Sequence, residues 1–331
     1  MPTQLDQTAS IPGANLIDPN VLARIGNLEL LARIVVDGFI NGLHRAPHLG
    51  SSTDFAEHRL YTPGDDTRRV DWKLWARTDK YFLKQYEADT NTNFTAILDI
   101  SKSMRYGASK EPARVSKLEY GAFLAACLTY FSSLQRDRVG LITVDSDVAT
   151  YVPPSSKHLR LILQSLDQTI KDVEAAKGFE ARTNVLGETQ LGAATQLGPS
   201  MRKISELFRR RSMIVVISDL YEEPEVIVDA ISQLHGRGND VMVFHLLDPT
   251  ELEFPFTDSS NFIDIETGEK MPVIPEYLRK QYREVIQAHV AALNKGLRDH
   301  RVDYALFNTS KPLDGALYAY LATRERLRRV R

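Results

Sequence analysis

Along residues 93–331 the apolar positions fall into short unbroken runs, separated by longer stretches in which apolar residues recur every three or four positions. The runs are 94–100, 139–144, 213–218, 241–246 and 302–307. Most lack polar alternation, which predicts strands covered on both faces. Helical periodicity occupies roughly 112–134, 158–177, 189–209, 224–236, 275–299 and 313–328. Strand and helix in alternation predict an α/β fold, with an open, doubly wound, mostly parallel sheet and helices on both sides. Residues 148–152 follow Asp145, Ser146 and Asp147 and predict an antiparallel edge strand. A second hairpin is predicted over 262–273, around Thr267 and Gly268.

Upstream the pattern changes. Asp18 and Pro19 form a helix start, with Asp as N-cap and Pro at the first helical position. Leu22, Ile25, Leu28, Leu31, Val35 and Phe39 follow as one apolar stripe, predicting an amphipathic helix that ends before Gly42. From there to about residue 92 the chain is rich in Gly, Pro, Asp and Arg, and 81–86 reads as a short strand. The expected organisation is a frayed terminus over 1–17, a helix-plus-β module over 18–92, and an α/β domain over 93–331.

Composition narrows the function classes. Of 331 residues, 41 are Lys or Arg and 43 Asp or Glu, a formal charge of −2. No global field draws such a chain to nucleic acid or an anionic membrane, so neither is expected as a partner. No apolar stretch approaches the ~20 residues that span a bilayer. The single cysteine, Cys127, sits in an apolar run and suits a buried thiol in a reducing compartment, so a cytoplasmic location is expected.

In open α/β sheets ligands bind beyond the carboxyl ends of the strands. Asp99, Ser101 and Ser103 follow the first run of the sheet, one carboxylate and two hydroxyls at alternate positions, which can converge on a hard cation. Asp219 follows the 213–218 run, and Thr183 adds a hydroxyl in a predicted interhelical loop. Asp and Ser at these places also suit a plain turn or helix cap. The set is similar to the metal-ion-dependent adhesion site of von Willebrand factor A domains. That resemblance implies a Rossmann-like fold and Mg²⁺ or Mn²⁺ ligated by Ser101, Ser103 and Thr183. Asp99 and Asp219 would act directly or through water, and one position would stay open for a partner's carboxylate. Thr189 is the alternative loop ligand, because Arg182-Thr183-Asn184 departs from the usual Gly-Thr-Asp.

A second block lies at 59–78, reading Arg-Leu-Tyr-Thr-Pro-Gly-Asp-Asp-Thr-Arg-Arg-Val-Asp-Trp-Lys-Leu-Trp-Ala-Arg-Thr. With 245–249, 262–268 and 312–321, it resembles the bacterial family catalogued as domain of unknown function fifty-eight, MoxR-associated proteins with a von Willebrand A-like domain. This chain departs from the family pattern at Ala46, where Ser is common, and at Asp54, where Glu is usual. Within the block, Arg59, Tyr61, Gly64, Asp65, Asp66, Arg68, Asp71, Trp72, Lys73 and Arg77 form either a structural network of guanidinium–carboxylate pairs or a partner-binding face.

No Walker loop, Gly-x-Ser-x-Gly elbow, His-Glu-x-x-His motif or dinucleotide fingerprint occurs. The resemblance therefore implies a non-catalytic, metal-dependent adaptor or chaperone-like protein. Its partners would be a MoxR-type AAA+ ATPase and a client protein still to be identified. The alternative is a Mg²⁺-dependent hydrolase using the same Asp/Ser/Thr site.

Overall fold

The computed structural model describes residues 18–45, 57–62, 70–85, 92–110, 113–183, 197–208, 210–263 and 270–330. The chain begins with α1 (Pro19–Leu22), capped by Asp18, whose carboxylate accepts from the Asn20 N–H. A 3₁₀ turn (Ala23–Ile25) leads to Gly26 at φ 63° and then to α2 (Leu28–Arg45). The apolar stripe that predicts one helix is thus broken at a glycine in the left-handed region, and Asn27 restarts it by accepting from the Leu30 N–H. Helix α2 also runs past the predicted stop at Gly42.

Strand β1 (Glu57–Leu60) pairs antiparallel with β2 (Phe82–Gln85), and α3 (Trp72–Thr78) lies between them. The helix was not anticipated in this loop-rich stretch. It follows Asp71, whose Oδ1 accepts from the Leu74 N–H at 3.2 Å, the geometry of an N-cap.

Next come β3 (Asn93–Asp99), the short hairpin β4 (Ser109–Lys110) and β5 (Ala113–Arg114), α4 (Lys117–Leu134), β6 (Arg138–Val144) and β7 (Val148–Ser155). Then follow α5 (Leu159–Thr183), α6 (Leu197–Leu207), β8 (Ser212–Ser218), α7 (Pro224–Gly236), β9 (Asp240–Leu247) and α8 (Pro249–Glu253). The chain closes with the hairpin β10 (Ser260–Ile263) and β11 (Lys270–Val273), α9 (Pro275–Asp299), β12 (Asp303–Asn308) and α10 (Asp314–Val330).

Six strands form the main sheet in the order β12-β9-β8-β3-β6-β7, parallel except for β7, which runs back along β6 as an edge strand. This is the open, doubly wound, mostly parallel arrangement that the alternating pattern predicts. The side-chain period of two sends Phe94, Ala96 and Leu98 of β3 to one face, with α2, α4, α5 and α10. Ile97 goes to the other, with α6, α7 and α9. Leu22, Leu31, Val36 and Phe39 of the N-terminal helices lie in the first of these cores, together with residues of the sheet.

Helix α4 positions the site, and β7 closes one edge of the sheet. Helix α4 is apolar on all sides and buried along most of its length, so it runs through the interior, not over the surface. Its start is fixed by a capping box, in which Ser116 and Glu119 each bond the other's backbone N–H. Edge strand β7 carries Pro153 and Pro154 and passes so close to β6 that a Cβ at Gly140 would meet the Val152 carbonyl oxygen at 2.9 Å.

Candidate functional site

Parallel pairing aligns Leu98 of β3 with Ile217 of β8, so both strands deliver their next residues, Asp99 and Ser218, side by side at the carboxyl edge. Asp99 is buried. Its Oδ1 accepts from the Ser101 N–H at 2.9 Å, and its Oδ2 accepts from the Ser218 hydroxyl at 2.6 Å. Ser101 is buried as well, and its Oγ lies 3.0 Å from the Oγ of the half-buried Ser103, which opens a 3₁₀ turn. The three members of the predicted Asp-x-Ser-x-Ser motif therefore converge. Burial, and then the neighbouring charge of Asp219, push the Asp99 carboxyl up to about 7.

Asp219 is brought to the same edge by β8 and is also buried. The next residue, Leu220, takes φ 49°, a costly conformation for a side chain branched at Cγ. Both of its peptide groups are held: its N–H donates to Ser218 Oγ at 3.1 Å, and its carbonyl oxygen lies 2.8 Å from His289 Nε2 of α9. The turn that aims Asp219 is thus fixed from the sheet and from a helix.

Sequence reasoning missed the residue that faces this carboxylate. Lys117, the first residue of α4, is fully buried, and its Nζ donates to Asp219 Oδ2 at 2.8 Å and to Glu251 Oε1 at 2.7 Å. The Tyr221 ring lies 4.7 Å from the ammonium and the Tyr106 ring 5.8 Å. Burial alone would pull this amine down; the two carboxylates outweigh it and raise it, so the charge stays. A cation at a helix N-terminus also opposes the helix dipole, which leaves the carboxylates as its main compensation.

The segment after β9 completes the surroundings. Asp248 caps α8 and accepts two contacts from Arg114 Nη2, at 2.7 and 2.5 Å. Glu251 accepts from the Asp248 N–H at 2.8 Å and from Lys117. Tyr106 Oη lies 3.0 Å from Thr250 Oγ1. Gly107, at φ 98°, passes so close that a Cβ there would meet Asp248 Oδ2 at 2.6 Å. Tyr106, Arg114 and Lys117 therefore tie the loop after the Asp-x-Ser-x-Ser motif to the 248–251 segment. In the sequence Asp248 and Pro249 stand out only as part of the family pattern, and Glu251 carries no signal. His245 is fully buried on β9, with Nδ1 2.7 Å from Tyr304 Oη. Burial, and then His289, pull its imidazole down to about 3, so it is neutral. Cys127 is free and buried, and burial pushes its thiol up.

Thr183 is not in an interhelical loop: α5 continues through Gly178 and ends on Thr183 itself, so the predicted stop near 177 came too early. A mid-helix glycine costs only ~1 kcal/mol, which packing can override. The Thr183 side chain and all of Thr189 lie outside the described residues. Among the described residues no three His, Cys, Asp or Glu side chains gather around one point, so a cation here would depend on hydroxyls as well as carboxylates.

The second predicted group is only partly in view. Gly64, Asp65, Asp66 and Arg68, and with them most of the predicted ion-pair network, lie outside the described residues, as do the side chains of Arg59 and Lys73. Tyr61 packs edge-on against Tyr81 at 6.2 Å, Trp75 stacks on Tyr81 at 5.9 Å, and Trp72 meets both Trp75 and Tyr81 edge-on. Trp72 is 58% exposed, and Arg77 is exposed in the last turn of α3. Asp71 is engaged with the backbone, its own N–H donating to the Phe82 carbonyl at 2.8 Å.

Among the described residues no helix is long and apolar enough to cross a membrane. Comparison with known proteins places the chain beside uncharacterised relatives. It is 26% identical over 316 residues to "Uncharacterized protein Rv1480" of Mycobacterium tuberculosis and equally to "Uncharacterized protein Mb1516" of Mycobacterium bovis, covering 93% of this chain and 91% of each relative. Among solved structures it is similar to BatB from Bacteroides thetaiotaomicron (18% identity, TM-score 0.42, 71% of this chain and 99% of that one). It is also similar to the VWA domain of SpRpn10 (13% identity, TM-score 0.34, 69% and 94%). The profile of the family described as "Protein of unknown function DUF58" matches residues 57–292, which take in the Trp72 helix, the Asp99 motif, Lys117, Asp219 and the 248–251 segment. The chain belongs to that family.

Proposed function

We propose that the protein is a cytoplasmic, non-catalytic adaptor that binds other proteins through a divalent cation at the carboxyl edge of its sheet. The observation that carries this reading is the convergence of Asp99, Ser101 and Ser103 beside Asp219, at the place where open α/β sheets present ligands. The donor chemistry fits: a buried carboxylate burdened by a second negative charge, next to two hydroxyls, is a set that a hard cation satisfies and that gains little from staying empty. Asp99, Ser101 and Ser103 would hold Mg²⁺ or Mn²⁺, with Asp219 and Thr183 as further members. Bound there, the ion would supply a Lewis-acidic position for an Asp or Glu carboxylate of a partner. The family resemblance supports a MoxR-type AAA+ ATPase as that partner, acting on a client whose maturation or assembly it drives.

A hydrolase would need a base or nucleophile beside the cation. The side chain best placed for that, Lys117, is charged and already donates to two carboxylates, which weighs against turnover. The adaptor reading is tested by measuring affinity for a MoxR-type ATPase from the same organism, in Mg²⁺ and in chelator, for the native chain and for Asp99→Ala. The expected result is binding that needs Mg²⁺ and is lost in the variant; equal binding in all four conditions overturns it.

A further inference from the structure

The ammonium of Lys117 takes the Asp219 oxygen that a divalent cation at this edge would seek. It lies 2.8 Å from that oxygen with no measurable exposure, is braced on its other side by Glu251, and is roofed by the Tyr221 and Tyr106 rings. Nothing about the position is accidental to the fold. The capping box fixes the start of α4, the Lys117 N–H donates to the Tyr106 carbonyl at 3.0 Å, and the 248–251 segment fixes Glu251. Two like charges in a confined, poorly solvated space repel strongly, and a tethered one cannot diffuse away.

We infer that Lys117 is a built-in competitor for the metal. It holds Asp219, weakens divalent-cation binding, and leaves Asp99, Ser101 and Ser103 as the principal protein ligands. The inference rests on the metal reading above, but it assigns a task to a residue which that reading does not need. In this arrangement the cation is held loosely by the chain alone, and a partner carboxylate contributes a large share of its retention. Metal and partner would therefore bind together more readily than either binds singly, a coupling that is reciprocal by thermodynamic necessity.

The experiment titrates MnCl₂ and MgCl₂ into the full chain by calorimetry, comparing the native protein, Lys117→Met, Asp219→Asn, the Lys117→Met/Asp219→Asn pair and Asp99→Ala. Lys117→Met should bind Mn²⁺ at least ~10-fold more tightly than the native chain. Asp219→Asn should change native affinity less than ~3-fold, yet it should erase the gain in the Lys117→Met background. That non-additivity is the signature of competition for one carboxylate. If Lys117→Met does not fold, Lys117→Met/Glu251→Gln makes the same comparison without leaving Glu251 unpaired. Native binding that is lost in Asp99→Ala but unchanged in Lys117→Met overturns the inference and leaves the metal reading intact. Binding by Lys117→Met alone, abolished by adding Asp99→Ala, supports the inference and removes the metal from the native function. No binding by any variant overturns both.

Discussion

The carboxyl edge of the sheet and the β1/β2/α3 module solve the same problem, holding charged and aromatic side chains in place, by opposite means. At the sheet edge Asp99, Lys117 and Asp219 are buried, and each has a specific partner at 2.6–2.9 Å. In the module Trp72, Trp75, Tyr61 and Tyr81 pack on one another over a two-stranded ladder, and Trp72 and Tyr81 keep about half their surface in water. The lesson concerns where rigidity comes from. Parallel strands locked between two cores can force charges together at the expense of solvation, whereas a two-stranded ladder cannot, and it uses rings that tolerate exposure.

Three experiments break or sharpen this contrast. The largest effect should come from Lys117→Met in chelator, which strands Asp219 and Glu251 without a counter-charge and should lower unfolding stability by about 3–5 kcal/mol in denaturant titration. A loss below about 1 kcal/mol would mean that the edge is not held by its charges. The next concerns acid. His245 is held at about 3 in the fold against 6.5 ordinarily, so as pH falls below about 6.5 the unfolded chain takes up a proton that the folded chain refuses, and stability drops. By pH 5 this one residue should cost about 2 kcal/mol relative to pH 7, and His245→Gln should remove that part of the slope in melts across the range. An unchanged slope would show that His245 titrates normally. The smallest effect should come from Trp72→Ala, at most about 1 kcal/mol because the ring is largely solvated. A loss matching that of Lys117→Met would mean that the module is as tightly built as the sheet edge.

Much of the sheet could be read from the chain, because strands buried on both faces leave unbroken apolar runs. Asp99 and Asp219 were legible because a strand end followed by an acid is an address as well as a composition. Lys117 was not, since a lysine before an apolar helix usually reads as a solvated first turn. The signal was nonetheless present: α4 is apolar nearly all round, so most of its first turn enters the core with the rest of the helix. The break at Gly26 and Asn27 was also written in the sequence, as a glycine stop followed by an asparagine cap, but the regular spacing of the stripe concealed it. The clamp of Asp248 on Arg114 joins residues 134 positions apart and leaves no local trace.

Edge strand β7 carries one more implication. Its two consecutive prolines, Pro153 and Pro154, have no N–H to offer to a neighbouring chain, and a strand that cannot donate is a poor template for another. Sideways growth of the sheet past β7 is thereby disfavoured at its proline end, a guard against edge-to-edge aggregation for a protein with so apolar a centre.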